Sequence, residues 1–121
     1  MAIQWNLNIE NGCPIFVIAG EPTAADADRL TSAANWVAGR HKTPVVLDLY
    51  YVWGFKPGGE ALLGDCVDRL TPPGVVLYLA RNPLLTFDDE RLLAPPRIHR
   101  LSEAPEALVN LARRNARKLT P

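Results

Sequence analysis

Two apolar runs constrain the fold of this chain more than any other feature: residues 45–49, which include one carboxylate at Asp48, and residues 75–80. Strands that are apolar on both sides are typical of parallel sheets whose two faces are covered by helices. Between the runs, apolar residues return at helical spacing from Ala61 to Leu70. A strand, a helix and a second strand form a βαβ unit, which almost always has a right-handed crossover. The sequence therefore predicts an α/β fold.

An antiparallel hairpin is predicted in the first twenty residues. Residues 3–9 alternate between apolar and polar side chains, which is the period of a half-buried strand. Asn11-Gly12 is a strong signal for a two-residue turn, and residues 14–19 form the next apolar run. Gly20-Glu21-Pro22 then ends that strand. We therefore expect a mixed sheet with an antiparallel pair at one edge.

Residues that cap helices mark three further helix starts. Thr23 with Asp26 and Thr86 with Asp89 have the spacing of a capping box, and Ser102 precedes the last helical pattern. Together with the strands, these helices predict a single domain over residues 1–121, with a mixed sheet of four to five strands flanked by about four helices. The predicted helices cover residues 24–40, 61–70, 86–93 and 104–119, and a weak final strand covers residues 98–101.

Composition and charge exclude several classes of function. The 121 residues carry a formal net charge of zero, so no global charge attracts nucleic acid or an anionic membrane. No apolar run approaches the roughly 20 residues that span a bilayer, and the first residues lack the pattern of a signal peptide. Cys13 and Cys66 form neither a disulfide framework nor a C-x-x-C pair, so we expect buried thiols in a reducing compartment. The protein is predicted to be cytoplasmic, without membrane insertion.

The sequence predicts no catalytic residue, no metal site and no cofactor. Asp48 lies in an apolar strand without a His, Cys or second acid at a catalytic spacing, so it is interpreted as an acceptor for nearby backbone N–H groups. His41 and His99 stand alone, and two such residues are too few to form a metal site. We therefore expect a protein that is not an enzyme.

Two segments of the chain resemble the STAS domains, which are anti-sigma-factor antagonist domains also found in sulfate transporters. The G-E-P-T-A-A-D-A segment at residues 20–27 resembles the G-E-L-D-A-A-T-A segment between the second strand and the first helix of that family. Residues 46–49, V-L-D-L, followed by a turn and by G-E-A-L-L at residues 59–63, resemble the family's V-L-D-L strand and the helix that follows it. The resemblance implies a STAS fold and a protein partner, which in the best-known branch is an anti-sigma factor with a kinase-like ATPase fold.

One departure from the family pattern affects regulation. STAS domains carry D-S-S-G or D-S-T-G before the second helix, where phosphorylation of a hydroxyl adds nearly two negative charges and switches partner binding. The corresponding turn here, residues 55–59, is F-K-P-G-G, one residue shorter, and no Ser or Thr lies between Tyr50 and Leu70. The resemblance therefore implies partner binding without the usual switch at this loop.

The candidate partner-binding residues lie around this turn and the start of the first helix. The turn itself has three open interpretations: a tight turn that needs glycine, a contact for an anion or nucleotide with Lys56 as counter-charge, or a protein interface. Tyr50, Tyr51, Trp53 and Phe55 place four aromatic side chains beside it, of which we expect two to pack in the core. The predicted partner-binding residues are Glu21, Thr23, Tyr51, Trp53, Phe55, Lys56, Pro57, Gly58, Gly59 and Glu60.

Other functions remain open at this stage. A constitutive structural subunit of a lipid-transporting ABC complex would need no phosphorylation, and a weak homodimer is compatible with either role. A domain that senses a small anion or nucleotide is a third alternative. The basic residues of the last helix are interpreted as a solvated helix end or, with Arg97 and Arg100, as a patch for an acidic partner; they are Arg113, Arg114, Arg117 and Lys118.

Overall fold

The computed structural model of the protein describes residues 3–40, 44–93 and 98–119. Its five strands are β1 Gln4–Glu10, β2 Cys13–Gly20, β3 Val45–Val52, β4 Leu77–Arg81 and β5 Ile98–Arg100. They form one sheet in the order β1-β2-β3-β4-β5. β1 and β2 are antiparallel, and each later strand is parallel to the strand before it. The mixed sheet predicted from the sequence is confirmed.

Helices follow the strands as the sequence predicts. Within the described ranges they are α1 Ala27–Arg40, α2 Gly59–Leu70, α3 Glu90–Leu93 and α4 Glu106–Arg117, with short 3-10 helices at Ala24–Asp26 and Leu101–Glu103. The hairpin between β1 and β2 turns at Asn11 and Gly12, which both have positive φ angles of 52° and 79°. This turn matches the type that an Asn-Gly pair favours between antiparallel strands.

Two of the predicted helix starts are wrong. α3 begins at Glu90 rather than near Thr86, because Oδ1 of Asp89 accepts the Arg91 backbone amide at 2.9 Å and caps the helix there. α4 begins at Glu106 rather than directly behind Ser102, because the chain first makes the 3-10 turn in which Leu101 is buried. The strands also shift slightly, since β3 continues past the predicted end to Val52 and β4 begins at Leu77.

The two faces of the sheet carry separate apolar clusters. One cluster lies under α1 and α2 and includes Phe16, Leu47 and Leu63, which are 0–2% exposed. The other lies under α4 and includes Ile15 and Val46, both fully buried. Both faces of the central strands are therefore covered, which explains why the runs in β2 and β3 are apolar at nearly every position.

A register shift in β3 decides which face its last side chains occupy. Val17 of β2 pairs with Asp48, but Ala19 pairs with Tyr51, so β3 carries one extra residue over this stretch. An extra residue of this kind is a β-bulge, and it leaves a backbone amide without a partner in the ladder. Oδ1 of the buried Asp48 accepts the Tyr50 amide at 2.9 Å, so the interpretation of Asp48 as a backbone acceptor is confirmed. Beyond the bulge, Tyr51 packs with the cluster under α4.

Candidate functional site

Two loops at the carboxyl ends of β2 and β3 are joined by backbone hydrogen bonds. The Trp53 amide donates to the carbonyl oxygen of Gly20 at 3.3 Å, and the Lys56 amide donates to that of Pro22 at 3.0 Å. Nζ of Lys56 also lies 4.0 Å from Oε2 of Glu21. The loop before α1 and the loop before α2 therefore form one surface with a fixed backbone.

Glycine is required where these loops meet. A Cβ atom on Gly59 would lie 1.9 Å from the carbonyl oxygen of Pro22, which is far inside van der Waals contact. Gly58 has a φ angle of 82°, and a Cβ atom there would lie 3.1 Å from the Cβ of Ala24. The two glycines thus allow the first turn of α2 to touch the start of the first helix. This arrangement supports the interpretation of the turn as a tight turn that needs glycine.

The backbone amides of this turn are partly used within the protein. Besides the Lys56 amide, the Gly59 amide donates to the carbonyl oxygen of Lys56 at 2.9 Å. Glu60 places a carboxylate in the first turn of α2, where an anionic ligand would need the helix amides. These contacts leave fewer donors for an anion at residues 56–59 than the sequence pattern alone indicates.

Thr23 and Asp26 form the cap that the sequence predicts at the first helix. Oδ2 of Asp26 accepts hydrogen bonds from both the amide and the hydroxyl of Thr23, each at 2.9 Å. Asp26 is only 6% exposed, so its carboxylate is held between these donors and the protein interior. The Thr23 hydroxyl therefore already has a structural partner, and its role in the loop surface is to hold the 3-10 turn in place.

The outward-facing residues define what we call the loop surface: Glu21, Trp53, Lys56, Pro57 and Gly58. Trp53 is 62% exposed, and Lys56, Pro57 and Gly58 are also exposed, whereas Glu21 is half-buried. An exposed indole on a backbone held by hydrogen bonds is a large apolar contact area that loses little entropy on binding. Ala24 and Ala25 are exposed beside this surface, although the sequence did not single them out.

Phe55 and Glu60 point away from the loop surface toward the loop at residues 82–89. The Phe55 ring lies edge-on to the Phe87 ring, with 5.6 Å between their centroids. Oε2 of Glu60 accepts the Asp88 amide at 2.8 Å and also accepts the Asp89 amide. These two predicted site residues therefore link the loop surface to the loop before α3. No local sequence pattern indicates this link, because it joins residues nearly thirty positions apart.

Tyr51 is not brought together with the loop surface. The bulge in β3 directs it to the face covered by α4, where it is half-buried. The pKa of the Tyr51 phenol is raised, mainly by burial and also by Asp48 and Tyr50. Arg113 and Arg117 of α4 partly offset this increase. Tyr50 is 51% exposed and Trp53 is 62% exposed, whereas Phe55 and Tyr51 are partly buried and pack against the two apolar clusters. Two of the four neighbouring aromatic side chains therefore pack, as predicted.

In the part of the chain that the structure describes, the remaining titratable residues form no recognisable catalytic arrangement. Burial raises the pKa of both cysteine thiols to about 11, which keeps Cys13 and Cys66 protonated at neutral pH. His99 is exposed with Nδ1 3.8 Å from Glu103, and His41 lies outside the described residues. In residues 3–40, 44–93 and 98–119, no three His, Cys, Asp or Glu side chains are placed to hold a metal ion, and no helix there is long and apolar enough to cross a bilayer.

No family model matches the chain, and no curated protein matches it. Among solved structures, the anti-sigma-factor antagonist SpoIIAA in its unphosphorylated form aligns over 92% of this chain and 98% of its own, with 15% identity and a TM-score of 0.60. The STAS domain of an anti-sigma-factor antagonist from Rhodobacter sphaeroides aligns over 65% of this chain and 86% of its own, with 12% identity and a TM-score of 0.53. Similarity at such low identity concerns the path of the backbone rather than the side chains. The chain therefore has the STAS-like fold that its two motifs predict.

Proposed function

We propose that this protein is a non-catalytic regulatory domain of the cytoplasm that binds a protein partner through the loop surface. The observation that carries the proposal is the exposure of Trp53 on two loops whose backbones are hydrogen-bonded to each other. A tryptophan that is 62% exposed leaves much of its apolar area in water, and covering it with a partner is favourable. Tryptophan is also among the residues most often found at the energetic centre of protein interfaces.

The charges around Trp53 favour a partner of mixed polarity rather than a strongly charged one. Glu21 and Lys56 have opposite charges with 4.0 Å between their charged atoms, and both side chains are partly exposed. A rim of this composition gives specificity and contributes little affinity by itself. By the similarity to anti-sigma-factor antagonists, we propose that the partner is an anti-sigma factor with a kinase-like ATPase fold.

We further propose that this binding is not switched by phosphorylation at the loop before α2. Residues 53–60 read W-G-F-K-P-G-G-E and contain no hydroxyl group. The nearest hydroxyl in the adjoining loop belongs to Thr23 and donates to Asp26. The same observation favours a second candidate function, a constitutive subunit of a lipid-transporting complex, in which a permanent contact replaces a regulated one.

Affinity capture from native cell extract, followed by mass spectrometry, tests both candidates. The bait is the full chain, compared with Trp53→Ala and with Trp36→Ala as the matched control. Trp36 is a second exposed tryptophan, 42% exposed, but it lies on α1 away from the loop surface. Loss of a central interface tryptophan typically weakens binding by 2 kcal/mol or more, about thirtyfold. We therefore expect Trp53→Ala to lose the partner and Trp36→Ala to retain it.

The captured protein distinguishes the two functions. An ATPase of the anti-sigma-factor class supports the regulatory domain, whereas transporter subunits support the structural one. Charge reversal at Lys56 gives a second test of the surface, since Lys56→Glu places two carboxylates beside each other. If a partner is captured equally by the unmodified chain, Trp53→Ala and Lys56→Glu, then the interface lies elsewhere and the proposal is wrong.

A further inference from the structure

A pocket of about 490 Å³ lies at the carboxyl ends of β4 and β5, apart from the loop surface. Its walls are the ends of these two strands, the loop at residues 82–87 and the 3-10 turn that begins at Leu101. Pockets of this volume are typical of small-molecule sites. The carboxyl ends of parallel strands are also where open α/β sheets most often bind ligands, because the chain leaves the sheet there in loops.

The floor of the pocket is apolar and already formed. Leu79 and Phe87 line it and are each 5% exposed, and Leu101 is 9% exposed. The Phe55 ring packs edge-on against the Phe87 ring, with 5.6 Å between the ring centroids. The apolar side chains of the floor are therefore held in place by packing within the protein.

The rim of the pocket carries two guanidinium groups. Nη1 of Arg81 donates to the Leu92 carbonyl oxygen at 3.2 Å, and the Arg81 guanidinium lies 5.7 Å from the Phe87 ring centroid. These contacts orient Arg81 over the floor, and its guanidinium forms no other hydrogen bond with the residues that the structure describes. Arg100 is exposed and pairs in register with Leu79, so the two side chains share one face of the sheet. Arginine is the side chain best suited to bind carboxylates and phosphates, so two guanidinium groups at one pocket favour an oxyanion as part of the ligand.

The described residues that line the pocket carry positive charge without a compensating negative charge. The protein as a whole has a formal net charge of zero, but the described lining residues include two arginines and no carboxylate. Among the described residues, neither Arg81 nor Arg100 forms an ion pair. Thr86 and Ser102 add hydroxyl donors to the same lining. The pocket therefore combines a positive rim, neutral donors and an apolar floor.

We propose that this pocket binds a small organic anion, with a carboxylate or phosphate monoester between Arg81 and Arg100 and an apolar group on Leu79 and Phe87. None of the loop-surface residues lines this pocket, and the proposal does not depend on the proposed function. A loss of partner binding in Trp53→Ala would therefore say nothing about the pocket. Likewise, weaker binding of a small anion by a variant at Arg100 would say nothing about partner binding.

Two-dimensional ¹⁵N NMR of the full chain, titrated with phenyl phosphate at neutral pH, tests the proposal. Phenyl phosphate carries both an oxyanion and an apolar ring, while phenol and inorganic phosphate each carry one of the two. Benzoate distinguishes a preference for carboxylate from one for phosphate. We expect saturable shifts of the backbone amides at residues 81–87 and 100–102, with weaker binding of phenol and of inorganic phosphate.

Arg100→Gln and Arg114→Gln form a matched pair of variants. Both arginines are exposed, but Arg114 lies on α4 and not in the pocket lining, so each variant removes one positive charge and only Arg100→Gln alters the site. Because a charge-assisted hydrogen bond is lost, we expect Arg100→Gln to bind phenyl phosphate about tenfold more weakly and Arg114→Gln to bind as the unmodified chain does. The exposure of Arg100 means that the fold should tolerate its replacement.

Three results would overturn the proposal. The first is the absence of saturable shifts at residues 81–87 and 100–102 with either phenyl phosphate or benzoate. The second is equal weakening by Arg100→Gln and Arg114→Gln, which would show attraction by overall charge alone. The third is phenol or inorganic phosphate binding as tightly as phenyl phosphate, since the ligand would then not need both an anion and an apolar group.

Discussion

Asp48→Asn should change how the stability of this protein depends on pH. Asp48 is 4% exposed in β3, and its carboxylate accepts the Tyr50 amide freed by the bulge. Burial raises the pKa of Asp48 from its ordinary 3.8 to about 6, although the hydrogen bond from Tyr50 partly offsets this effect. The native state therefore binds a proton more tightly at Asp48 than the unfolded chain does.

The size and sign of the effect follow from these two pKa values. One pKa unit corresponds to about 1.4 kcal/mol, so the difference between 3.8 and about 6 corresponds to about 3 kcal/mol. Because the native pKa is raised, this stability is present in full below pH 3.8 and is lost as the pH rises through about 6. An asparagine keeps an acceptor for the Tyr50 amide and does not titrate. Between pH 4 and pH 7, the unmodified chain should therefore lose about 2 kcal/mol relative to Asp48→Asn.

Urea unfolding at pH 4, 5, 6 and 7, followed by circular dichroism, measures this difference. Any effect of the new amide group that does not depend on pH cancels, because only the change with pH is compared. Asp28→Asn is the control, since Asp28 is an exposed carboxylate on α1. If the free energies of unfolding of the unmodified chain and Asp48→Asn stayed parallel from pH 4 to pH 7, the argument that burial shifts Asp48 would be refuted.

Two further predictions concern packing. Gly59→Ala should lower the free energy of unfolding by about 3 kcal/mol, because its Cβ would meet the Pro22 carbonyl oxygen at 1.9 Å. Gly39→Ala is the matched control in α1, because its new Cβ would meet no atom within 4 Å, and it should raise the free energy of unfolding by up to ~1 kcal/mol. Equal effects of the two substitutions in urea unfolding would contradict the steric argument. Cys13 and Cys66 should react with a thiol reagent at pH 8 only when the chain unfolds, because both are buried with raised pKa values, and prompt reaction in native buffer would disprove this.

The errors in the predicted helix starts have a common physical cause. Capping-box spacing is a local pattern, and several residues of a loop can satisfy it. Asp89 caps α3 because Arg91 is held against α2, where Nη1 of Arg91 lies 2.5 Å from Asp65. Ser102 does not start α4 because Leu101 is buried first, and Pro105 follows it. In both places a contact distant in sequence selects among local alternatives.

In the candidate site too, some features can be predicted from the local sequence, whereas others depend on contacts between distant segments. The exposed Trp53, Lys56 and Pro57 could be named from the sequence, because aromatic, glycine and proline residues cluster between a strand and a helix. The direction of Tyr51 could not be predicted, since the bulge that turns it toward α4 has no local signal. Likewise, the role of Glu60 as an acceptor for the amides of Asp88 and Asp89 depends on where the loop before α3 comes to lie.

The sequence by itself determined the class of fold, the order of strands and helices, the hairpin and the absence of a hydroxyl in residues 53–60. Periodicity and turn chemistry act over a few residues, so they can be read without knowing the rest of the chain. Only the tertiary structure decided which side chains share a surface, how the two loops fit through Gly59, and that Arg81 and Arg100 line one pocket. These features depend on contacts between segments that are distant in sequence, which the pattern within any one segment does not specify.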